Sequence, residues 1–402
     1  MLALNKILIW QWLFLWLLLD SLIIYLAKPF FFFPINALLP VLVVIAYIFN
    51  KRSMRLLTTS HVTAIAAIAL GLLLAVAIGV EEAWLSFKQT LTAVCGFIIG
   101  YQATRRNDDL RPFIFLLALI GLAYALVCVA ALLGVSSTYL PVIYAYGFNN
   151  GVPVIRAELT TDQNYQIYYL LPIILGLILK QSLVRLFTLL FGVAASFYVI
   201  IMMETRSGLL LMLTLLAGIV LLPVWYKQKN SVNKVLALSV IVLLVALVKL
   251  PEIIDISQGM IRRFTESDLG TFWGRILSIT YLFEHIYNPI WWVPKGQNIF
   301  LLEHGSFPHS TPTSIFLRAG ILGLIGWLSL IAWPVVKAAV LIHKRRINIY
   351  QATIVFGATI SLIASFSLPA AMFEQVWLWG GASWGIIEFN KSQRRKMKKQ
   401  YG

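Results

Sequence analysis

The sequence predicts an all-helical (all-α) integral membrane protein with about twelve transmembrane helices. Hydrophobic residues make up 60% of the 402 residues and charged residues 12%, whereas soluble domains carry about 25% charged residues. Apolar runs of roughly 18 or more residues recur along the chain, and each can cross the hydrocarbon layer as a helix. Because lipid offers no hydrogen-bond partners, the backbone of such runs has to be helical. These observations exclude a soluble protein.

The predicted spans cover most of the chain. They lie near residues 7–27, 30–49, 61–80, 84–103, 112–133, 164–180, 183–203, 207–225, 235–250, 313–342, 349–368 and 375–390. The first run lacks a small-residue cleavage site, so we expect it to be retained as a span instead of being removed as a signal peptide.

Basic residues concentrate in alternate connections between these spans. Besides six in the C-terminal tail, they are Lys51, Arg52, Arg55, Arg105, Arg106, Arg111, Lys180, Arg185, Lys227, Lys229, Lys234, Lys344, Arg345 and Arg346. With twelve spans, all of them fall on one face, which the positive-inside rule makes cytoplasmic together with both termini. The net charge of +16 is then explained by orientation in the membrane, and we expect no nucleic-acid partner.

The opposite face is predicted to hold the long loops. One of roughly thirty residues begins at Gly134, and one of roughly sixty runs over 251–312, a length that is usually functional or disordered. The second contains several Trp and Phe, which favours a folded, helical loop over disorder. We therefore predict one polytopic membrane domain over 1–402, a large helical periplasmic loop at 251–312 and a basic cytoplasmic tail at 391–402.

Arginine also occurs on this outward face, where the positive-inside rule predicts few. The residues are Arg156, Arg206, Arg262, Arg263, Arg275 and Arg318. Arg206 follows Glu204 in a turn too short to leave the membrane interface, where a charge usually faces a cavity or a partner. The guanidinium fork suits phosphate oxygens, so the group suggests an anionic ligand such as a polyprenyl diphosphate. Ion pairs such as Arg206–Glu204, or snorkelling to headgroups, are the alternative.

Three further polar positions are candidates for a site. His309 precedes the helix expected from about Thr313, and its imidazole can take a proton from a sugar hydroxyl or hydrogen-bond to it; packing or capping is the alternative. Asp162 opens a span, where capping the helix is the structural explanation. Glu374 lies at the last outward turn, where it can bind an acceptor or orient an arginine.

Metal and redox chemistry are not expected. Cys95 and Cys128 both fall inside apolar runs, a placement that suggests neither a disulfide framework nor a metal cluster. We therefore expect no metal site and no cofactor.

Several short motifs resemble the O-antigen ligase family, whose relatives include O-antigen polymerases. His309-Ser310, nine residues and then Gly320–Gly323 are similar to the ligase motif. Arg206-Ser207-Gly208 resembles the short arginine turn of the family, and Gly274-Arg275 resembles its second arginine. Asp162-Gln163-Asn164 is similar to the acidic-x-Asn start of a middle helix. The likeness extends from about residue 60 to residue 390.

One segment departs from the family pattern. After Pro289 the family often has a Gly-x-Gly turn, whereas this chain has Pro294-Lys295-Gly296-Gln297-Asn298. The local geometry of the loop, and with it the subfamily, is left open by this difference.

The resemblance implies a metal-independent, inverting glycosyltransferase with a GT-C-like architecture in the bacterial inner membrane and a periplasmic active site. Its donor would be an undecaprenyl-diphosphate-linked glycan and its acceptor lipid A–core oligosaccharide, in lipopolysaccharide biosynthesis, with membrane lipids around it. The residues expected in the site are His309, Arg206 and Arg275 as catalytic groups and Arg156, Arg318, Asp162, Asn164 and Glu374 as substrate-binding groups.

Other functions stay open. An O-antigen or exopolysaccharide polymerase would use the same donor, and the spacing that follows His309 favours the ligase over it. A twelve-span transporter or flippase would place its ionisable residues near the bilayer midplane, whereas the outward arginines gather at one mouth. A non-enzymatic scaffold for polysaccharide assembly would need neither the arginines nor the histidine motif.

Overall fold

The computed structural model describes residues 9–19, 57–105, 109–133, 143–149, 152–157, 167–179, 183–202, 206–227, 269–366 and 374–401. The predicted spans 30–49 and 235–250 lie outside the described residues, as do Asp162, Asn164, Arg262 and Arg263.

Helices make up nearly all of the described chain. They are α1 (Ile9–Leu18), α2 (Thr59–Ala77), α3 (Ala83–Arg105), α4 (Arg111–Leu132), α5 (Ile167–Leu175), α6 (Leu183–Met202), α7 (Arg206–Trp225), α8 (Leu269–Ile286), α9 (Asn298–His304), α10 (Thr311–Trp327), α11 (Trp333–His343), α12 (Ile349–Phe366) and α13 (Glu374–Tyr401). Short 3₁₀ turns cover Gly176–Ile178 and Pro289–Trp291, and the π-helical stretch Leu328–Ala332 joins α10 to α11.

The helices coincide with the predicted spans wherever both are described. The predictions over 84–103, 207–225 and 349–368, for example, correspond to α3, α7 and α12. Among the described residues, five helical segments are long and apolar enough to cross a bilayer: Thr59–Ala77, Arg111–Ala130, Gly208–Trp225, Thr311–His343 and Ile349–Phe366. The prediction of a helical protein with several helices able to span a membrane is confirmed. The count of twelve transmembrane helices stays a prediction.

A short β-hairpin accompanies the predicted helices. Strands β1 (Ile143–Asn149) and β2 (Val152–Ala157) pair antiparallel, with Tyr144 opposite Arg156. They lie in the loop that was expected to begin at Gly134 and for which no secondary structure was predicted. The sequence signal was present, because β-branched and aromatic residues flank Asn150-Gly151, a pair typical of hairpin turns.

Three contacts bring the basic connections together at one end of the helical bundle. Tyr226 Oη donates to Ile347 O at 2.9 Å, Asn390 Nδ2 donates to Arg346 O, and the Arg111 guanidinium lies 5.8 Å from the centre of the Tyr350 ring. The starts of α4 and α12, the ends of α7 and α11 and the second half of α13 therefore share one side. We call this side the basic end; it brings together described residues from four of the predicted basic groups, and the sidedness of the whole chain stays a prediction.

Small residues allow the helices to approach closely. A Cβ atom added at Gly100 in α3 would lie 2.0 Å from Leu378 O in α13, and one added at Gly381 would lie 2.1 Å from Phe97 O. Thr104 Oγ1 donates to Ala382 O at 2.8 Å across the same interface. In a bilayer, where helices gain little from apolar burial alone, such backbone contact is a main source of association.

The helix α10 is broken at Gly320. This residue has φ 65° and ψ −164°, a backbone conformation essentially confined to glycine. The break frees backbone groups, and the segment before α9 bonds to them. Ile321 N–H donates to Trp292 O at 2.9 Å, and the N–H groups of Lys295 and Gly296 both donate to Leu317 O at 2.9 Å.

Substituting Gly320 tests this contact, with Gly305 as the matched control. Both have positive φ, but an added Cβ at Gly320 would lie 2.3 Å from Trp292 O, whereas one at Gly305 meets nothing within 4 Å. Gly305→Ala should lower the free energy of unfolding by about 1–2 kcal/mol from backbone strain alone. Gly320→Ala should cost roughly 1–3 kcal/mol more because of the clash. Thermal unfolding in detergent measures both, and equal losses would contradict the bonded break.

Candidate functional site

His309 and the start of α10 are fixed onto α8 through Ser278. The backbone N–H of His309 donates to Ser278 Oγ at 2.8 Å, and this hydroxyl donates to Gly274 O at 2.7 Å. In the first turn of α10, Thr313 Oγ1 donates to Ser278 O at 2.7 Å. Ser278 is buried, so these bonds hold the histidine segment against one face of α8.

The imidazole of His309 lies beside the turn that carries Arg275. A Cβ added at Gly274 would be 3.3 Å from His309 Cδ2 and 3.9 Å from its Nε2. Gly274 directly precedes Arg275, which is half-buried. The structure thus brings two of the three predicted catalytic positions into one locality, although 34 residues separate them in the chain.

Arg206 lies on the side of the bundle remote from the basic end. It is the first residue of α7, and the last turn of α7 lies at the basic end, where Trp225 Nε1 donates to Ile342 O at 3.4 Å. Arg206 is thus about 30 Å from the basic end, the length of a 20-residue helix. Its side chain lies outside the described part of the structure.

Arg318 links α10 to α3 and to the segment before α9. Its guanidinium donates to Gln297 Oε1 at 2.6 Å and to Ser86 Oγ and Gln89 Oε1 at 3.2 Å, and it lies 3.7 Å from Glu82 Oε2. These contacts give Arg318 a structural role that the sequence did not reveal. Phosphate binding by Arg318 stays a prediction.

A cavity of about 320 Å³ adjoins this network. Its lining residues are Ile78, Gly79, Val80, Glu81, Glu82, Pro294, Lys295, Gly296 and Asn298. Asn298 Nδ2 donates to Glu81 Oε2 at 2.9 Å across the mouth. The carboxylates of Glu81 and Glu82 and the ammonium group of Lys295 all line the cavity, so it offers both acceptors and a donor to a polar group such as a hydroxyl. The approach of Glu81 and Glu82 to residues 294–298 could not be predicted from the sequence.

An aromatic cluster stiffens the connection between α8 and α9. The rings of Tyr281 and His285 stack at 4.0 Å, Trp291 packs on His285 at 4.0 Å, and Phe300 packs on Tyr281 at 4.9 Å. Burial raises the pKa of the Tyr281 phenol above its ordinary value, and the nearby Glu303 adds to the rise. The phenol is therefore neutral at physiological pH and packs as part of a core.

The remaining predicted positions are described in part. Arg156 lies on β2 opposite Tyr144, and Glu374 opens α13 at the end remote from Asn390 and the basic end. Their side chains, like Asp162 and Asn164 as whole residues, lie outside the described part of the structure. Within the described ranges, no group of three His, Cys, Asp or Glu side chains is placed to hold a metal ion.

No family model matches the chain, and neither a curated protein nor a solved structure matches it. The resemblance to the O-antigen ligases therefore depends on the short motifs around His309, Arg206 and Arg275 and on the helical topology.

The Arg318–Glu82 pair predicts coupled stability. Both side chains are about four-fifths shielded from solvent, with exposed fractions of 18% and 21%. Arg318→Met should lower the free energy of unfolding by about 2–3 kcal/mol, because several hydrogen bonds to a charged group are lost. Glu82→Gln should cost less, and the double variant should be less destabilised than the sum of the two. Chemical denaturation of the three variants measures this, and additive losses would show that the pair does not interact.

Proposed function

We propose that the chain is a membrane-embedded glycosyltransferase of the O-antigen ligase type, with a GT-C-like architecture and a periplasmic active site. It would move a glycan from undecaprenyl diphosphate to a hydroxyl of lipid A–core oligosaccharide. The single observation that carries the proposal is the position of the His309 imidazole against Gly274, next to Arg275. Two positions that match separate family motifs are neighbours at the end remote from the basic end.

The proposed reaction needs no external energy source, because the donor already carries a good leaving group. The acceptor hydroxyl oxygen attacks the anomeric carbon as the bond from that carbon to the diphosphate oxygen breaks, and undecaprenyl diphosphate leaves with the electron pair. His309 receives the hydroxyl proton or orients the hydroxyl. Arg206 and Arg275 stabilise the charge that develops on the diphosphate. Attack from the side opposite the leaving group inverts the anomeric centre.

The buried hydrogen bonds around Ser278 support a positioning function for the start of α10. The His309 N–H and the Thr313 hydroxyl four residues later both donate to Ser278. The backbone that carries the imidazole therefore has a fixed position. A general base needs such a defined position within hydrogen-bond reach of its proton donor.

A polymerase that extends another lipid-linked chain is the nearest alternative, and the spacing from His309 to Gly320 favours the ligase. Gene deletion separates the two. Loss of a ligase leaves long polymer attached to undecaprenyl diphosphate, and the core oligosaccharide carries no polymer. Loss of a polymerase leaves single repeat units, an outcome that would replace the ligase assignment.

A transporter is the alternative from another class, and the broken helix α10 is the feature that speaks for it, since transporters often bind substrate beside broken helices. Here, however, the freed groups of the break bond to residues 292–296 instead of lining a central cavity. Glycan transfer by purified protein in detergent, with no gradient present, would exclude transport as the primary function.

The transfer assay itself tests the proposed residues. His309→Ala should lower the turnover rate by about 10²–10⁴-fold, the usual contribution of a positioned acid or base. Arg275→Lys and Arg206→Lys should also be poor enzymes, because a single ammonium cannot repeat the forked contact with phosphate. His343→Ala, an exposed histidine at the basic end that stacks on Trp225, is the control and should retain activity.

Protein yield and the thermal midpoint of each variant separate loss of activity from loss of folding. Near-normal transfer by a well-folded His309→Ala variant would overturn the proposed role of the histidine. Full activity of both lysine variants would instead favour simple charge attraction.

A further inference from the structure

The turn between α8 and α9 exposes a patch of apolar and aromatic side chains. We call residues 286–294 the tip; they read Ile-Tyr-Asn-Pro-Ile-Trp-Trp-Val-Pro and contain no charged side chain. Tyr287 is 82% exposed, Ile290 67%, Trp292 47% and Val293 37%. An exposed cluster of this kind marks a surface that is covered by a partner or by lipid.

The packing of α8 on α10 shows which part of α10 the tip lies beside. α8 runs beside the first half of α10 in the same direction. Ser278 bonds to Thr313 near the start of α10, and further along Leu282 packs with Phe316 in a cluster that also takes in Ile286 and Ile321. The chain therefore descends along α10 through α8, turns at the tip, and returns through α9 to His309.

The combined length of α10, the π-helical stretch and α11 sets the level of the tip relative to a bilayer. His343, Lys344, Arg345 and Arg346 are exposed at the basic end, where such residues mark one membrane surface. Gly320, which contacts the tip, precedes Lys344 by roughly 24 residues, or about 36 Å of helix. The hydrocarbon core is about 30 Å thick and the bilayer with headgroups about 40–45 Å. The tip is thus level with the interface of the opposite leaflet.

Polar groups of the tip are hydrogen-bonded within the protein, as a lipid environment requires. Trp292 O accepts from Ile321 N–H, and the following Lys295 and Gly296 donate to Leu317 O. The Trp292 indole donates to Ile286 O at 2.8 Å, and Asn288 Oδ1 accepts from Ile290 N–H at 3.1 Å. Non-helical backbone at membrane depth is tolerated where its polar groups are bonded in this way to protein.

We propose that the tip inserts into the lipid interface on the side opposite the basic end and anchors the α8–α9 segment to the bilayer. Aromatic residues with one polar atom are the side chains enriched at this level of membrane proteins. The absence of charge in the tip selects the glycerol and upper acyl region as the contact, not anionic headgroups. The inference does not depend on the proposed reaction.

Site-directed spin labelling tests the insertion. Buried Cys95 and Cys128 are replaced by alanine, Ile290→Cys carries a nitroxide, and the protein is reconstituted into phosphatidylcholine vesicles. Collision with oxygen, which partitions into lipid, and with a water-soluble nickel chelate is measured. Glu303→Cys, at an exposed position on α9, is the control. We expect high oxygen and low nickel accessibility at 290, and the reverse at 303.

Nickel accessibility at 290 equal to that at 303 would overturn the proposal. Exclusion of both reagents at 290 with spin–spin broadening would identify a second copy of the chain as the occupant and would overturn it as well. If Ile290→Cys fails to fold, Tyr287→Cys, at the most exposed tip position, serves in its place with the same expected result.

Discussion

A helix within a membrane protein has to satisfy all of its backbone hydrogen-bonding groups, and α10 does so across its break by bonding to a second segment of the chain. The carbonyl of Leu317 and the N–H of Ile321 flank Gly320, and both are satisfied by residues 292–296. The same bonds fix the turn between α8 and α9 at a defined level. From that level α9 and the following residues lead back to His309, so the break positions the candidate site as well as the helix.

The two ends of the helical bundle differ in their charged residues. The ends of α7, α11 and α13 meet at the basic end, while Arg318, Glu82 and the cavity beside them lie towards the start of α10. Arg318 has four polar neighbours, which offset the cost of shielding its charge from water. Arg318, which was a candidate for phosphate binding from the sequence, thus connects α10 to its neighbours. The helical turn of Gly274 and Arg275 beside His309 is the stronger indication of a site.

Much of this could be predicted because apolar runs and basic loops are properties of single segments. The bounds of α3, α7 and α12 follow closely from hydropathy, and the aromatic content of the loop before Thr311 favours folded structure over disorder. The hairpin is short and its register is irregular between Ala145 and Phe148, so the alternation that marks a strand is weak there. The network around Arg318 and the contact between His309 and Gly274 could not be predicted, because each joins segments whose distance in the chain says nothing about their distance in space.

In the proposed site, arginines from separate helix ends and His309 surround one place where a phosphorylated isoprenoid docks. An experimental structure in a lipid nanodisc with undecaprenyl diphosphate bound tests this most directly. We predict density for the diphosphate in contact with the guanidinium groups of Arg206 and Arg275, with the His309 imidazole facing the position of the sugar. Diphosphate density elsewhere, or an Arg206 side chain turned away from Arg275 towards lipid or solvent, would contradict the account.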